Sequence, residues 1–555
     1  MAAPSSAGAA SGSPGRRRSE RWAPLLLLFG LAGALLVPLL GRQGLSDPGE
    51  SSLAQSAREM RERGDWLVPT LYGEPAAERP PVMCWVVAGS FALFGESEMA
   101  ARIPSVLAAL ALLAVVWRLA LRLGAGRLGG WTAAVILASS LQFVLIGRSA
   151  DPDVPFTLCF TAGIVCLLEA LRRPARGAWG PAGAALLGVS VLFLGTAGFV
   201  LVAAVAVPCV LLVARGRVTS LRPLLSCATF LAVVLPWYVT VAARDPSLAS
   251  RWLAPGRVLD AARYGAGAAP ASPFAFGSML LVGFLPWSLF LPGALARSAA
   301  RFPQGLPDAR LRVVPAIWLL AMLALFTLAA GRFSSSILPA LPAAAILAAE
   351  PISSWLEQGA GERRLKGMGA LLLLVILMGG MVFFSTSRDN FGAIPFSFKA
   401  ALLPICFAGL LGSLFTLSSL LLRRPRLAFL LLAGGCAILD FTLLAYGFPT
   451  LEPWRSSRPA AYAVKPMIGP GDRVVVYRRF PPGFAYYLDR IPERVSGEEA
   501  LQRILALPQR AFCLMERDLF EQMRTRRPFP PLFLLSRSGG VVVVSNRSPA
   551  ADAAR

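Results

Sequence analysis

No histidine occurs anywhere in the 555 residues of this chain. That absence removes imidazole acid–base catalysis and the commonest protein metal ligand. Cysteine offers no substitute: Cys84, Cys159, Cys166, Cys209, Cys227, Cys406, Cys436 and Cys513 show no CxxC spacing, and most sit inside apolar runs. They read as small core hydrophobes, not as a disulfide frame or a zinc site. Charge is scarce as well, at 15% of residues, and acidic groups are the minority, 31 against 54 Lys and Arg. The net charge of +23 raises the question of nucleic acid. The arginines, however, come in threes and fours at the ends of apolar runs and build no binding face, so nucleic acid is not an expected partner.

What is abundant is apolar. A hydrophobic fraction of 55% and a mean hydropathy of +0.61 mark a polytopic α-helical membrane protein. Runs near the roughly 20 residues a bilayer requires number about 13, at approximately 23–41, 102–121, 129–147, 154–171, 181–195, 197–214, 223–243, 274–295, 313–329, 335–350, 367–385, 399–421 and 427–447. The run 82–95 is too short for a span and reads as re-entrant or interfacial. Residues 1–22 form a Ser/Gly/Ala/Pro tail ending in Arg16, Arg17, Arg18 and Arg21, a composition expected to stay disordered. No small-x-small cleavage site precedes Gln43, so the first run is expected to be an uncleaved helix.

Charges thread the spans. Arg118/Arg122/Arg127, Arg172/Arg173/Arg176, Arg215/Arg217/Arg222, Arg297/Arg301/Arg310/Arg312, Arg363/Arg364/Lys366 and Arg423/Arg424/Arg426 all fall on alternate connections, with the N-terminal arginines. By the positive-inside rule that side is the cytoplasm. Residues 42–101, 148–153, 244–273, 330–334, 386–398 and everything after 448 then face away from it. The membrane block is 23–447, and 448–555 changes character. Segments 472–479, 510–516, 531–537 and 540–546 read as strands, and 498–507 and 517–525 as helices between them. A small α/β domain follows, expected to cap the site or present an acceptor, since it has no Gly-rich phosphate loop.

Polar chemistry gathers in Ser46–Pro81, between two hydrophobic blocks. Asp47-Pro48-Gly49-Glu50 has the form of a helix start, with Asp as cap, Pro in the first turn and Glu three residues on. The same corner could hold a catalytic carboxylate, because a helix N-terminus steadies one and offers N–H groups to an anion. Arg148-Ser149-Ala150-Asp151-Pro152-Asp153 repeats the device, and Asp153 complements the helix dipole. Arg58 and the pair Glu78-Arg79 lie in the same stretch; Arg79 reads equally as a surface ion pair or as a ligand for lipid phosphate. Arg332 stands alone between two apolar runs and is a further phosphate candidate. Asp440 falls inside a span, where a carboxylate marks function unless it merely reaches the interface.

DPGESSLAQSAREMRERGDWLVP resembles the first outer loop of the bacterial lipid A aminoarabinose transferases and the wider protein mannosyltransferase-like GT-C group. Their pattern runs close to DPDEGRYAEIAREM followed by GDWLVP. GEPAAERPPVMCWVVAGSFALFGESEMAARIPS is similar to the group's G…EKPP…W…LFG…ARLPS, and Asp151-Pro152 to the acidic residue of its second outer loop. FLGTAGFVLV, VLPWYV, GFLPWSLFLPGAL and LAAGRFSSSILPALPA follow in the family's order. The departures are specific. The leading Asp of the DE pair falls on Gly49 while Glu50 is kept, and the EKP lysine is Arg79. A KGP-type lysine falls on Thr196, and a late GK…Y pair becomes Arg332 and Ser336. The metal-associated histidine of the middle outer loop has no counterpart in 244–273.

The resemblance implies a GT-C membrane glycosyltransferase of the bacterial inner membrane, with a periplasmic C-terminal domain. It would move a sugar, with inversion, from a polyprenyl-phosphate donor to a lipid A-like, glycan or protein acceptor. Glu50 or Asp47 would be the base, Asp151 with Asp153 would orient acceptor or sugar, and Arg58, Arg79 (beside Glu78) and Arg332 would meet the lipid phosphate. No bound metal or other cofactor is expected, although a carboxylate-only divalent-cation site stays open. Two other readings remain. A transporter of lipid-linked sugar should show charges inside spans or paired broken helices, and few such charges appear. A catalytically degenerate relative acting as a binding or scaffold protein would account for Gly49 and the missing histidine. The threading is testable: a reporter fused after about residue 450 is expected to be active only outside the cytoplasm, and cytoplasmic activity there would put the span count out by one.

Overall fold

A computed structural model describes residues 26–76, 80–175, 177–214, 217–247, 275–301, 311–328, 337–358, 396–478, 480–525 and 532–548. The tail 1–22, the expected span 367–385 and the loop 330–334 lie outside them, as do most of 244–273 and of 386–398.

The chain opens with apolar helix α1 (Leu26–Leu36) and polar helix α2 (Gly49–Arg63). An antiparallel ribbon, β1 (Thr70–Leu71) with β2 (Glu74–Pro75), leads to α3 (Val82–Phe94), which is the short apolar run at 82–95. Next come α4 (Glu98–Arg122), α5 (Gly126–Ala138), α6 (Leu141–Gly147), α7 (Asp153–Arg172) and α8 (Trp179–Leu194). Apolar helices continue at Thr196–Leu212, Pro223–Arg244, Val314–Leu328, Leu341–Gln358 and Phe396–Leu421. Among the described residues four helices are long and apolar enough to cross a bilayer unaided: Glu98–Arg122, Asp153–Arg172, Val218–Arg244 and Pro425–Arg455.

Two expected spans are not straight. The run at 129–147 breaks between α5 and α6 by 67°, and the run at 274–295 breaks between Phe276–Gly283 and Trp287–Arg301 by 108°. At the first break the hydroxyls of Ser139 and Ser140 donate back to Val135 O and Leu137 O, each at 2.8 Å. Serines that bond backward compete with the helix ladder and end it. At the second, Pro286 supplies no N–H. The last expected span, 427–447, instead runs on: Pro425–Thr442 passes through a π-helical turn, Leu443–Gly447, into Phe448–Arg455.

The chain end forms a five-stranded sheet in the order β4-β3-β5-β7-β6: β3 (Arg473–Tyr477), β4 (Glu493–Val495), β5 (Ala511–Glu516), β6 (Phe533–Ser538) and β7 (Val541–Ser545). β3 pairs in parallel with β4 and β5, and β7 runs antiparallel to both neighbours. The strand β4 has no counterpart in the sequence expectation. Period-two alternation sorts the side chains. Val475, Cys513, Met515 and Val544 form a core with Leu501 and Phe520 from two helices, while Val474, Val476, Phe512 and Val543 join the main core shared with the helical bundle.

Glycine sets the close contact between α7 and α8. A Cβ built on Gly163 of α7 would stand 2.9 Å from the Leu187 side chain and 3.2 Å from the Gly183 carbonyl oxygen of α8. Small residues at such a crossing let two backbones approach without an intervening side chain. This contact fixes α7, whose first turn carries Asp153. Gly163→Leu is therefore expected to lower stability by about 1–3 kcal/mol through overpacking, read as a fall in thermal midpoint in detergent. Gly49→Ala, where a Cβ would meet nothing within 4 Å, should leave that midpoint unchanged.

Candidate active site

Glu50 stands at the start of α2, 5% exposed, with both carboxylate oxygens occupied. Arg102 of α4 donates from Nε to Oε1 at 2.8 Å and from Nη2 to Oε2 at 2.7 Å. The Ser46 and Ala150 N–H groups add bonds of 2.9 and 2.7 Å. Burial alone would raise the pKa of this carboxyl, but the Arg102 charge and these bonds outweigh it and hold it at about 2. Arg102 also spends its remaining donors, on Leu40 O, Gln43 O and Gly44 O. The bidentate pair is thus a structural clamp. An ionised carboxylate with four donors is a poor proton acceptor, so this geometry weighs against the expectation of Glu50 as general base.

Asp47, expected as helix cap or base, is turned elsewhere. Its Oδ1 accepts from Ser51 Oγ at 2.5 Å and Gly483 N at 2.6 Å, and its Oδ2 from Ser457 N at 2.8 Å and Ser457 Oγ at 2.5 Å. Burial pushes its pKa up, against the pull of those four bonds. Asp47 therefore ties the α2 corner to the chain's C-terminal portion instead of capping α2. Arg58, expected at the lipid phosphate, is paired with Glu96 at 2.7 Å and Asp489 at 3.0 Å, bonds Tyr486 O, and lines neither cavity described below. Glu78, Arg79 and Arg332 lie outside the described residues.

Asp151 and Asp153 form the second corner. Asp151 Oδ1 accepts from Asp153 N at 2.9 Å across the α7 start, which is the capping role read from the sequence. Asp153 is buried at 5% exposure, whereas Asp151 is half-buried and faces a cavity of about 410 Å³. Gly49, Ser149, Pro80 and Trp454 line this cavity too, along with the edges of Asp47 and Glu50. The exposed Gly49 leaves room in its wall where the family pattern carries a carboxylate. A neighbouring cavity of about 390 Å³ is lined by Arg102, Arg148, Gln142 and Leu444 among others, and both cavities share Ser46, Glu50, Ile146, Ser149 and Arg455. Asp440, flagged in the sequence, is buried and lines neither. Among the described residues no three His, Cys, Asp or Glu converge on a position that could hold a metal ion.

Residues 78–239 match the family model for dolichyl-phosphate-mannose-protein mannosyltransferases. The undecaprenyl phosphate-α-4-amino-4-deoxy-L-arabinose arabinosyl transferase of Pseudomonas paraeruginosa is 32% identical over 398 residues, which is 70% of each chain. Its counterpart from Pseudomonas aeruginosa is 31% identical over the same length. The chain belongs to this arabinosyl transferase family. Its fold agrees with the crystal structure of ArnT from Cupriavidus metallidurans bound to undecaprenyl phosphate, at a TM-score of 0.76 and 20% identity over 95% of this chain and 99% of that one. An oligosaccharyltransferase from Archaeoglobus fulgidus shares the fold more distantly, at a TM-score of 0.54, 11% identity, and coverage of 90% and 70%. The chain is thus a membrane glycosyltransferase of the GT-C class, as the loop motifs implied.

Membership in the arabinosyl transferase family leaves several residues that motif matching did not single out: Arg102, Arg148, Trp454 and Arg455. A signal existed for the first two. Each is a lone arginine at the end of an apolar run on the side poor in positive charge, where topology does not require one. Arg102 and Glu50 make a prediction together. Glu50→Gln leaves a guanidinium buried without a counter-charge, so a loss of about 3–5 kcal/mol is expected, seen as poor folded yield and a lowered thermal midpoint. A variant as stable as the wild type would show that the clamp does not matter.

Proposed function

We propose that this transferase moves a sugar of the amino-arabinose class from undecaprenyl phosphate to a lipid A-like acceptor, with Asp151 as the general base. Support for that base comes from one observation. Half-buried Asp151 lines the larger cavity at the start of α7, beside Ser149 and the exposed Gly49. The reaction is a single displacement with inversion. The acceptor oxygen attacks the anomeric carbon and gives its proton to Asp151, and the bond from that carbon to the phosphate oxygen breaks. Undecaprenyl phosphate leaves with the electron pair. A positioned base accelerates such a step by roughly 10²–10⁴-fold, and cationic groups stabilise the departing phosphate. Arg79 and Arg332 are proposed for that second task from their match to the family's lysines, and Asp153 steadies the Asp151 turn from within α7. No metal is assigned a role.

The same reading has about 13 spans, a cytoplasmic N-terminus, and a periplasmic α/β domain at 448–555, so that both acidic corners face the periplasm. The bare wall at Gly49 favours one second reading, a degenerate relative that binds substrate without turnover. Asp151→Asn separates the two. Asn caps a helix about as well as Asp, so folding should be unchanged while transfer from undecaprenyl-phosphate-linked aminoarabinose to lipid A falls by roughly 10²–10⁴-fold. If the wild type is inert and only Gly49→Asp transfers sugar, the degenerate reading replaces this one.

A further inference from the structure

We infer that Glu59 and Tyr72 are positioning residues for the transfer step, fixing the first polar stretch against the chain's C-terminal portion from outside the cavities; the assignment rests on the transferase reading above. The argument starts from a strained turn. β1 and β2 are joined by two residues, Tyr72 at φ +61° and Gly73 at φ +79°. Two positive φ angles in succession are the type I′ pattern, which favours Asn, Asp or Gly before the Gly. A tyrosine in the left-handed region crowds its own Cβ against the backbone, so the turn needs support from outside itself.

Glu59 of α2 supplies it. This carboxylate is 5% exposed and accepts Tyr72 N on Oε1 at 2.7 Å and Gly73 N on Oε2 at 3.2 Å. Thr70 Oγ1 donates to Oε2 at 2.7 Å and Gln55 Nε2 to Oε1 at 2.9 Å. These four donors are all neutral, and three of them belong to the ribbon. Hydrogen bonds to an ionised oxygen are the stronger kind. Glu59 thereby shapes the ribbon, whereas Glu50 holds a buried charge.

The strain serves a side chain. Tyr72 is 8% exposed, its Oη donates to Pro482 O at 2.5 Å, and its ring meets Phe480 edge-on at 4.5 Å. Arg494 of β4 covers the Phe480 ring at 4.2 Å. One residue beyond Pro482, Gly483 N donates to Asp47 Oδ1 at 2.6 Å, and Asp47 lines the larger cavity. At the other end of the ribbon Ala76 N donates to Pro69 O at 2.8 Å, and both of these residues line the same cavity. Glu59 and Tyr72 themselves line neither cavity. They act on the chemistry by where they put its walls: Pro69 and Ala76 through the ribbon, and Asp47 through Pro482 and Gly483.

The test compares full-length wild type, Tyr72→Phe and Glu59→Gln in detergent, by amide hydrogen exchange and by transfer from undecaprenyl-phosphate-linked aminoarabinose to lipid A. Tyr72→Phe keeps the ring and the backbone and loses only the bond to Pro482, so its thermal midpoint should stay near that of the wild type. Glu59→Gln turns an amide donor toward the N–H groups of the turn. Exchange is expected to rise at 482–488 in both variants, and at 70–76 in Glu59→Gln, because exchange reports local opening. A fall in kcat of about 10–100-fold is expected with it, since a misplacement of about 1 Å at a reacting centre suffices for that. Donor and acceptor KM should hold, as no contact to either substrate is removed. Wild-type kcat in both variants overturns the assignment, and so does a rise in KM alone, which would put one of these residues on a substrate. A loss of activity accounted for by loss of folded protein makes the pair merely structural and overturns it as well. A wild type that transfers no sugar sinks the transferase reading; exchange at 482–488 then still decides the clasp, which stands if exchange rises in Tyr72→Phe and falls if it does not.

Discussion

Glu50 and Arg102 meet where four pieces of chain cross, and the corner that carries Asp151 is held through them. The guanidinium bonds carbonyls of the turn after α1, at Leu40, Gln43 and Gly44, while the carboxylate bonds the N–H of Ala150 just before α7. One ion pair therefore locks α1, α2, α4 and the Asp151 corner together. Taking two charges out of water is expensive, and it is repaid only when their geometry and remaining hydrogen bonds are complete. Here every Arg102 donor has a partner. The motif glutamate thus has a structural task, holding the Arg102 charge at this crossing.

A second junction gives the C-terminal sheet its place. Asp47 reaches Ser457 and Gly483, Tyr487 Oη accepts from Leu45 N at 2.7 Å, and Tyr72 Oη donates to Pro482 O at 2.5 Å. Every one of these contacts joins the first outer loop to residues more than 400 positions later. They are hydrogen bonds between groups that are individually ordinary, so composition does not reveal them. Their effect is to make the wall of the larger cavity a shared product of the first polar stretch and the C-terminal portion.

The legible part of this molecule was what repeats or clusters. Apolar runs announced most helices, short runs rich in Val, Leu and Phe announced four of the five strands, and the ordered loop motifs announced the family. The breaks at Ser139–Ser140 and at Pro286 were hidden because each lies inside a long apolar run; side-chain hydroxyls and a missing N–H interrupt the ladder. Asp47 and Glu50 were legible as important but not as structural, since a cap, a clamp and a base call for the same residue type. Arg455 escaped notice because the last helix was expected to stop at 447, eight residues before it.

That last helix carries a geometric consequence. From Pro425 to Arg455 it counts 31 residues, or roughly 46 Å at 1.5 Å per residue. The hydrocarbon layer is only about 30 Å deep. The surplus must be absorbed by tilt or by projection beyond the acyl chains, and Phe448–Arg455 supplies the projecting turns. The depth of the reaction chamber relative to the lipid headgroups is then governed by how this rod accommodates hydrophobic mismatch. A thinner or thicker bilayer would raise or lower the whole chamber against its lipid substrates while leaving every contact inside it intact.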